Sequence, residues 1–518
     1  MSHPVDCTGY ACPKAPKGST KRSQVAIPDH ISSLASSHPV KPDPMSQLST
    51  MEAAPSRVED RRSACPGLFR MAKARDGSIC RVKLTFGNLS AEQAHAVADA
   101  ARRFGNGVIE ITNRANLQIR GVCPDTENPL IAVLLAAGLG PLTDRGDDVR
   151  NVMVSPIAGI LPGKLDVRPL ALHLLETLQT DASYQTLSPK FSILVDGGES
   201  VAMVEHPHDI WLSAIDADSD HPRFAFGVAG TPPTAAGDMP ALGIVGSSQA
   251  MHLVTAILDV FISWNAANPA ASRVRHMIAA VGCETFISHL QARLNFPVRG
   301  EKADEWHRTL PRVNGHLGLL PEHHTNRRLV GAMPPLGRLD PDRLDALAAL
   351  AAKNSNGKLR ITPWQSILLP EVPEATVSQT MRELEALGFA TRPDNPLATM
   401  ISCSGSAGCG SALGTTQADG LRLGALLRGR APDLTVHLTG CVKSCASPSA
   451  KPITLVATEP GYYNIFLRAT NGPSRFGKLL AAHVTIEEAA EWIGNLPLNS
   501  RPSMQRPLNS GSGGPTHA

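Results

Sequence analysis

No charge of one sign dominates this chain of 518 residues: 49 Lys and Arg stand against 46 Asp and Glu, a formal net charge of +3. There is therefore no global field to draw it to nucleic acid or an anionic membrane, and any anion it binds must meet local clusters. Long hydrophobic runs are also missing. No uncharged apolar stretch approaches the ~18–20 residues of a spanning helix, and the longest, around Leu130–Leu139, is about half that length. The first residues, Met1–Ser23, carry no apolar segment of the secretory kind, so a cytoplasmic location is expected. Cysteine is sparse as well. Ten in a chain of this size are too few for a disulfide scaffold, and a chain that stays in the cell keeps its thiols reduced. What is present, 42% hydrophobic and 18% charged residues, excludes a wholly disordered chain and allows several folding units.

Residues 1–60, rich in Pro, Ser, Lys and His, read as a flexible extension, and the tail from Asn499 to Ala518 reads the same way. Between them short β-type runs alternate with amphipathic helices, the pattern of an α/β or α+β protein. The strongest organisational signal is a repeat at an offset of 250: Arg81–Val122 laid on Gly331–Val372 without gaps gives ten identities in 42 positions. Among them are Gly87/Gly337, Leu89/Leu339, Gly107/Gly357, Ile111/Ile361 and Thr112/Thr362. Ser90, with Gln93 at the third helical position, predicts a capping box in the first copy. Asp340 followed by Pro341 predicts the matching helix start in the second. Each helix should run to a Gly or Asn stop and into a strand, 108–112 or 358–362, with a second helix ending at Gly138 or Gly388. The chain reads as a duplication.

The copies diverge after the shared Ile-Thr. The first continues Asn113-Arg114-Ala115-Asn116-Leu117-Gln118-Ile119-Arg120, whereas the second has lost its charges there. At a strand period of two, Arg114, Asn116, Gln118 and Arg120 share one cationic face.

Four of the cysteines form two tight pairs, Cys403-x5-Cys409 and, 32 positions on, Cys441-x3-Cys445. Four thiolates converging from two loops can ligate a [4Fe–4S] cluster. Gly405, Gly408, Gly410 and Gly440 would let the backbone approach the sulfurs closely, and Lys443 would offset negative charge. A four-cysteine zinc site is the alternative, although structural zinc commonly uses tighter knuckles of two to four intervening residues.

This cysteine pattern in a duplicated chain resembles the sulfite and nitrite reductase superfamily. Within it, several stretches resemble the precorrin-3B synthases: 64–69, 111–120, 150–156 and 440–446. The resemblance implies an α+β fold of two ferredoxin-like half-domains, related by a pseudo-twofold, with two α/β nitrite/sulfite reductase-type domains. Boundaries follow at 1–60 for the extension, 61–152 and 326–399 for the half-domains, 153–325 and 400–497 for the α/β domains, and 498–518 for the tail. It makes Cys403, Cys409, Cys441 and Cys445 cluster ligands. It also places Arg81, Lys83, Arg114, Arg150, Asn151 and Lys190 near the carboxylates of a tetrapyrrole, where Asn116, Gln118 and Arg120 would join them. The implied reaction is that of a monooxygenase of aerobic cobalamin synthesis: precorrin-3A with O2 gives precorrin-3B by C20 hydroxylation and γ-lactone closure. A non-haem iron is implied as well. The chain has no strand-following G-x-G-x-x-G, so electrons from NADH call for a separate donor protein. His323, His324 and His437 are candidate ligands of that iron. Siroheme reductases usually carry a basic Arg-Lys-x-Lys run where Ser188–Ser192 stands, and a basic position where Ala446 follows the last cysteine. A siroheme-dependent sulfite or nitrite reductase is the alternative enzyme, and a tetrapyrrole-binding or electron-transfer iron–sulfur protein the non-enzyme one.

Overall fold

The structure is a computed structural model. It describes residues 65–496 apart from 161–163, 218, 299–302, 322–325, 431–433, 448–449 and 469–474. The expected extension and tail, with Cys7 and Cys12, and the pair His323 and His324 lie outside the described residues.

Four five-stranded sheets organise the described chain. The first is ordered Ala72–Ala74, Gly77–Val82, Leu117–Val122, Ile109–Ile111, Arg338–Leu339. The second is ordered Gly318–Pro321, Arg327–Ala332, Ile367–Pro373, Lys358–Ile361, Asn88–Ser90. Each copy thus lends an edge strand to the other copy's sheet. Arg338 and Leu339 pair antiparallel with Glu110 and Ile109, while Asn88, Leu89 and Ser90 pair with Arg360, Leu359 and Lys358.

The duplication holds in backbone detail. The helices Ala91–Phe104 and Pro341–Asn354, and then Glu127–Ala136 and Val377–Ala386, start and stop at the same offset of 250 read from the sequence. So do the left-handed residues: Phe86 and Leu336 (φ 56° and 52°), Gly87 and Gly337 (74° and 71°), Ala115 and Gln365 (54° and 66°). Left-handed backbone disfavours L side chains by roughly 1–2 kcal/mol, so its recurrence marks a turn the architecture requires. At Gly87 the reason is visible, because a Cβ there would meet the Ile361 carbonyl oxygen at 2.1 Å.

Local chemistry explains the helix starts. Ser90 Oγ accepts from Gln93 N, and Gln93 Oε1 from Ser90 N, both at 3.1 Å, the expected capping box. Asp340 Oδ1 accepts from Arg343 N at 2.8 Å. The two long helices pack together over one shared core, and Arg102 bridges outward to Asp342 and Asp345 at 2.9 and 2.8 Å.

The other two sheets are mixed. One is ordered Gly243–Gly246, Arg223–Gly230, His208–Ala214, Ile193–Asp196, Val152–Met153. Its helix Ala250–Ala267 belongs to a stretch long and apolar enough, by composition alone, to cross a membrane. It buries Leu253, Val254, Ile257, Leu258 and Phe261 against that sheet, as a core helix does. The other is ordered Met400–Ser402, Val436–Thr439, Ile453–Glu459, Tyr462–Leu467, Lys478–Val484. Its first three strands run parallel, and the cysteine loops leave the ends of the first two. The tips of adjacent parallel strands are where an open α/β sheet places a ligand.

Candidate active site

Cys403 and Cys409 flank a short helical turn, Gly405–Gly408, that follows the strand Met400–Ser402. Cys441 and Cys445 follow the neighbouring strand, Val436–Thr439. The two loops converge. Burial raises the affinity of the Cys445 thiol for its proton, and the nearby Cys441, Cys409 and Cys403 thiols raise it further, with Lys443 opposing. Gly440 N donates to Cys403 Sγ at 3.2 Å, the amide-to-sulfur bond the glycines were expected to supply. A Cβ at Gly440 would lie 2.5 Å from the Ala412 Cβ, so the loop closes this tightly only with glycine. Among the described residues no three His, Cys, Asp or Glu side chains gather as a site for a single metal ion. Four thiols that feel one another from two converging loops can together hold an iron–sulfur cluster.

The cations divide into two kinds. Arg120 is buried and fully engaged, donating to Asp76 (2.9 and 2.8 Å), Glu110 (3.1 Å), Ser404 Oγ (3.0 Å) and the Gly408 carbonyl (2.8 Å). Lys83 is buried too. Its Nζ donates to the carbonyls of Asp147 and Asp148, and burial brings its pKa down to about 7 against the pull of Asp147. Arg150 pairs with Asp147 at 2.9 Å and the Gly140 carbonyl at 3.0 Å, and Asn151 Nδ2 donates to the carbonyls of Asp148 and Pro189. Asn116 is buried, with its Oδ1 accepting from Leu84 N at 2.9 Å. These residues hold the scaffold.

Arg114 differs. Its guanidinium donates only to the Lys190 carbonyl, at 3.3 Å, and no carboxylate pairs with it among the described residues. Burial, then Arg81 and Arg273, bring its pKa down to about 10, with Asp209 and Cys65 opposing. Arg81 reaches Gln118 Oε1 at 2.8 Å, and burial lowers its pKa as well. Lys190 is exposed beside them. The strand expected to carry Arg114, Asn116, Gln118 and Arg120 on one face begins only at Leu117. Arg114 and Asn116 sit in the preceding turn, closed by Thr112 N to the Asn116 carbonyl at 2.9 Å, so the common face reduces to Gln118 and Arg120.

Two histidines not marked by the motifs above, His206 and His208, feel the charge of Arg114. Burial, then Lys451 and Arg114, lower the pKa of His206 to about 3, and His208 is driven well down by the same burial. His206 and Lys451 line a cavity of about 70 Å³ whose wall includes Asn113, Trp364, Ala446 and Ser447, just past the last cysteine. Burial also lowers the Lys451 pKa, with Glu205 opposing. A signal was available: Glu205-His206-Pro207-His208-Asp209 packs four titratable groups into five residues ahead of an apolar strand.

A model described as the nitrite/sulfite reductase ferredoxin-like half domain matches twice, at residues 72–137 and 322–387, at the spacing of the duplication. The nitrite and sulphite reductase 4Fe-4S domain model matches 145–298, and the matched stretches together exceed half the chain. The chain belongs to the nitrite and sulfite reductase family. The segment 145–298 holds a single cysteine, Cys283, and the paired cysteines at 403, 409, 441 and 445 lie beyond it. Chloroplastic ferredoxin–nitrite reductase of Zea mays is 29% identical over 78% of this chain and 73% of its own. A precorrin-3B synthase of a Sinorhizobium species is 29% identical over 80% of this chain and 85% of its own. The Mycobacterium tuberculosis NirA protein shares the fold, with a TM-score of 0.65, 21% identity, and 80% and 79% of the two chains covered. Within this family the chain is an oxidoreductase with an iron–sulfur cofactor, a group that supplies electrons one at a time.

Among the described residues no three His, Cys, Asp or Glu side chains gather that could hold a second, mononuclear iron, and its candidates His323 and His324 lie outside them. His437 is buried in its sheet with both ring nitrogens unpartnered, and burial, Lys451 and Arg475 bring its pKa down to about 3.

Proposed function

We propose that this family member is a precorrin-3B synthase-like monooxygenase, which takes precorrin-3A, O2 and NADH-derived electrons to precorrin-3B by C20 hydroxylation and γ-lactone formation. The observation that carries the reading is an uncommitted cationic group, linked through Gln118 and Glu110 to Ser404 of the cysteine loop: Arg114 without a carboxylate, Arg81 tied to a neutral amide, and Lys190 exposed. A uroporphinoid macrocycle bears many acetates and propionates, and each charge-assisted bond to such a carboxylate contributes ~1.5–3 kcal/mol. Arg114 and Arg81 orient the ring through its carboxylates. His206, whose pKa burial, Lys451 and Arg114 lower to about 3, is a proton acceptor that a neighbouring carboxylate would favour in its charged form. The Sinorhizobium precorrin-3B synthase, matched over 85% of its length, supports the same reading. So does Ser192, buried with its hydroxyl unpartnered at the end of a run where siroheme reductases usually carry a second cation. A separate NADH-dependent donor protein would supply the electrons, with neither nucleic acid nor membrane as a partner.

The second reading, a siroheme-dependent nitrite or sulfite reductase, is supported by the Zea mays ferredoxin–nitrite reductase at the same 29% identity and by one feature of the site. Cys445 is exposed where the other three thiols are partly covered, which leaves it open to a second prosthetic group. A visible spectrum with iron and sulfide analysis separates the two. The proposed enzyme is brown, with broad cluster absorbance, and consumes precorrin-3A only when O2 and a reductant are both present. An intense haem-type band with nitrite or sulfite turnover replaces it by the second reading.

A further inference from the structure

Glu110 lies in the strand Ile109–Ile111 of the first copy, far in sequence from the cysteines, yet it touches the loop that carries two of them. Its carboxylate accepts from Ser404 Oγ at 3.0 Å, from Arg120 at 3.1 Å and from Arg338 at 2.6 and 3.0 Å. Ser404 directly follows Cys403. The two guanidiniums that meet on Glu110 continue into the loop backbone, Arg120 to the Gly408 carbonyl at 2.8 Å and Arg338 to the Ser404 carbonyl at 3.4 Å. Arg75 completes the clasp on the Ser406 carbonyl at 3.1 Å. Alternate carbonyls of the Cys403–Cys409 loop are thus held by cations, and Glu110 is the acid on which two of those cations are oriented. Gly408 is part of the fit, since a Cβ there would lie 2.5 Å from the Arg120 guanidinium.

The duplicate shows that this is a specialisation of one copy. At the position 250 residues on stands Arg360, a cation, donating to the carbonyls of Pro156 and Ala158 at 3.1 and 3.4 Å. Both copies use this strand position to grip a loop of a neighbouring sheet. Only the copy that faces the cysteine loop carries a carboxylate there. On the other side Gln118 donates to Glu110 at 3.3 Å while accepting from Arg81, which joins the network to the cationic anion site.

We propose that Glu110 is a positioning residue for the iron–sulfur centre: through Ser404, Arg120 and Arg338 it fixes the Cys403–Cys409 loop, and its negative charge biases the centre against reduction. The proposal rests on reading the four cysteines as cluster ligands, which iron and sulfide analysis of the unaltered protein checks separately. If the unaltered protein contains neither, that reading fails.

The test is Glu110→Gln in the full chain, which keeps the shape and the carbonyl acceptor and removes the charge. Iron and sulfide content should match the unaltered protein. The electron paramagnetic resonance lineshape of the reduced centre should change, and the potential should move positive by roughly tenfold in the equilibrium, about 59 mV for one electron. Asp345→Asn, which removes a carboxylate of the outer helix pair, should move neither readout. An unchanged potential and lineshape in a fully loaded Glu110→Gln protein overturns the proposal. Should that variant not accumulate as folded protein, Ser404→Ala removes the hydroxyl link without stranding a charge. An altered lineshape there supports the proposal, and a lineshape identical to the unaltered protein overturns it.

Discussion

Arg114 and Arg120 lie six positions apart and read alike in the sequence, but their surroundings give them opposite work. Arg120 is 3% exposed and satisfied by two acids, a hydroxyl and a carbonyl, so it has no donor to offer a ligand. Arg114 gives one bond to a carbonyl and is otherwise uncommitted. Arg114→Ala should therefore weaken binding of a polycarboxylate tetrapyrrole by ~10- to 100-fold, the loss of one charge-assisted contact, and leave the cluster absorbance intact. Titration of the purified protein with the macrocycle, beside its visible spectrum, checks both halves; bleaching of the cluster would reassign Arg114 to the scaffold. Period-two reasoning could not have separated these residues. It says which side chains share a face of a strand, whereas Ala115 at φ 54° takes Arg114 out of the strand altogether. The cysteine spacing was more legible, because four thiols in two Gly-rich loops carry their chemistry in local sequence. Glu110 was illegible for the converse reason: its partners are 10, 228 and 294 positions away.

At the scale of elements, the helix starts were readable because a cap is a contact between residues three apart, as Ser90 and Gln93 show. The exchange of edge strands was not, since nothing local to Asn88–Ser90 specifies a partner at Lys358–Arg360. The exchange has a consequence for stability. Leu89 is 1% exposed and Leu339 2%, each buried in the sheet of the opposite copy. Leu89→Ala should cost ~2–5 kcal/mol, as large-to-small changes in a core do. The damage should appear across the pseudo-twofold. Hydrogen exchange should speed up at the amides of Lys358–Ile361 more than at those of Ile109–Ile111, and Leu339→Ala should give the reverse pattern. A rise confined to the mutated copy's own sheet would contradict the exchanged pairing.

For the whole molecule, the feature with the widest reach is a set of histidines held neutral, His208, His316 and His437 buried and His206 partly so. Burial brings His206, His316 and His437 down to about 3 and His208 well below its ordinary value. In the unfolded chain each titrates near ~6.5. Between those values the unfolded chain binds more protons than the folded one, so stability rises with pH and is lost as pH falls below about 6.5. Each histidine contributes a slope of up to ~1.4 kcal/mol per pH unit. Lys83 extends the trend upward. Its folded value of about 7 lies below the ~10.4 of an unfolded lysine, so its penalty is relieved as pH climbs from neutrality. His316 isolates one share of the acid side, because its ring stacks on Trp364 with centroids 4.7 Å apart and its Nδ1 meets Ser366 Oγ at 2.8 Å, with burial alone lowering its pKa. His316→Asn should lose the stack and be less stable at pH 7. The gap from the unaltered protein should then close by ~1 kcal/mol per pH unit between about pH 6 and 4, because the variant no longer takes up that proton on unfolding. Urea unfolding at a series of pH values measures the gap. If it stays constant across that window, His316 is not held neutral in the fold, and the acid lability must come from elsewhere.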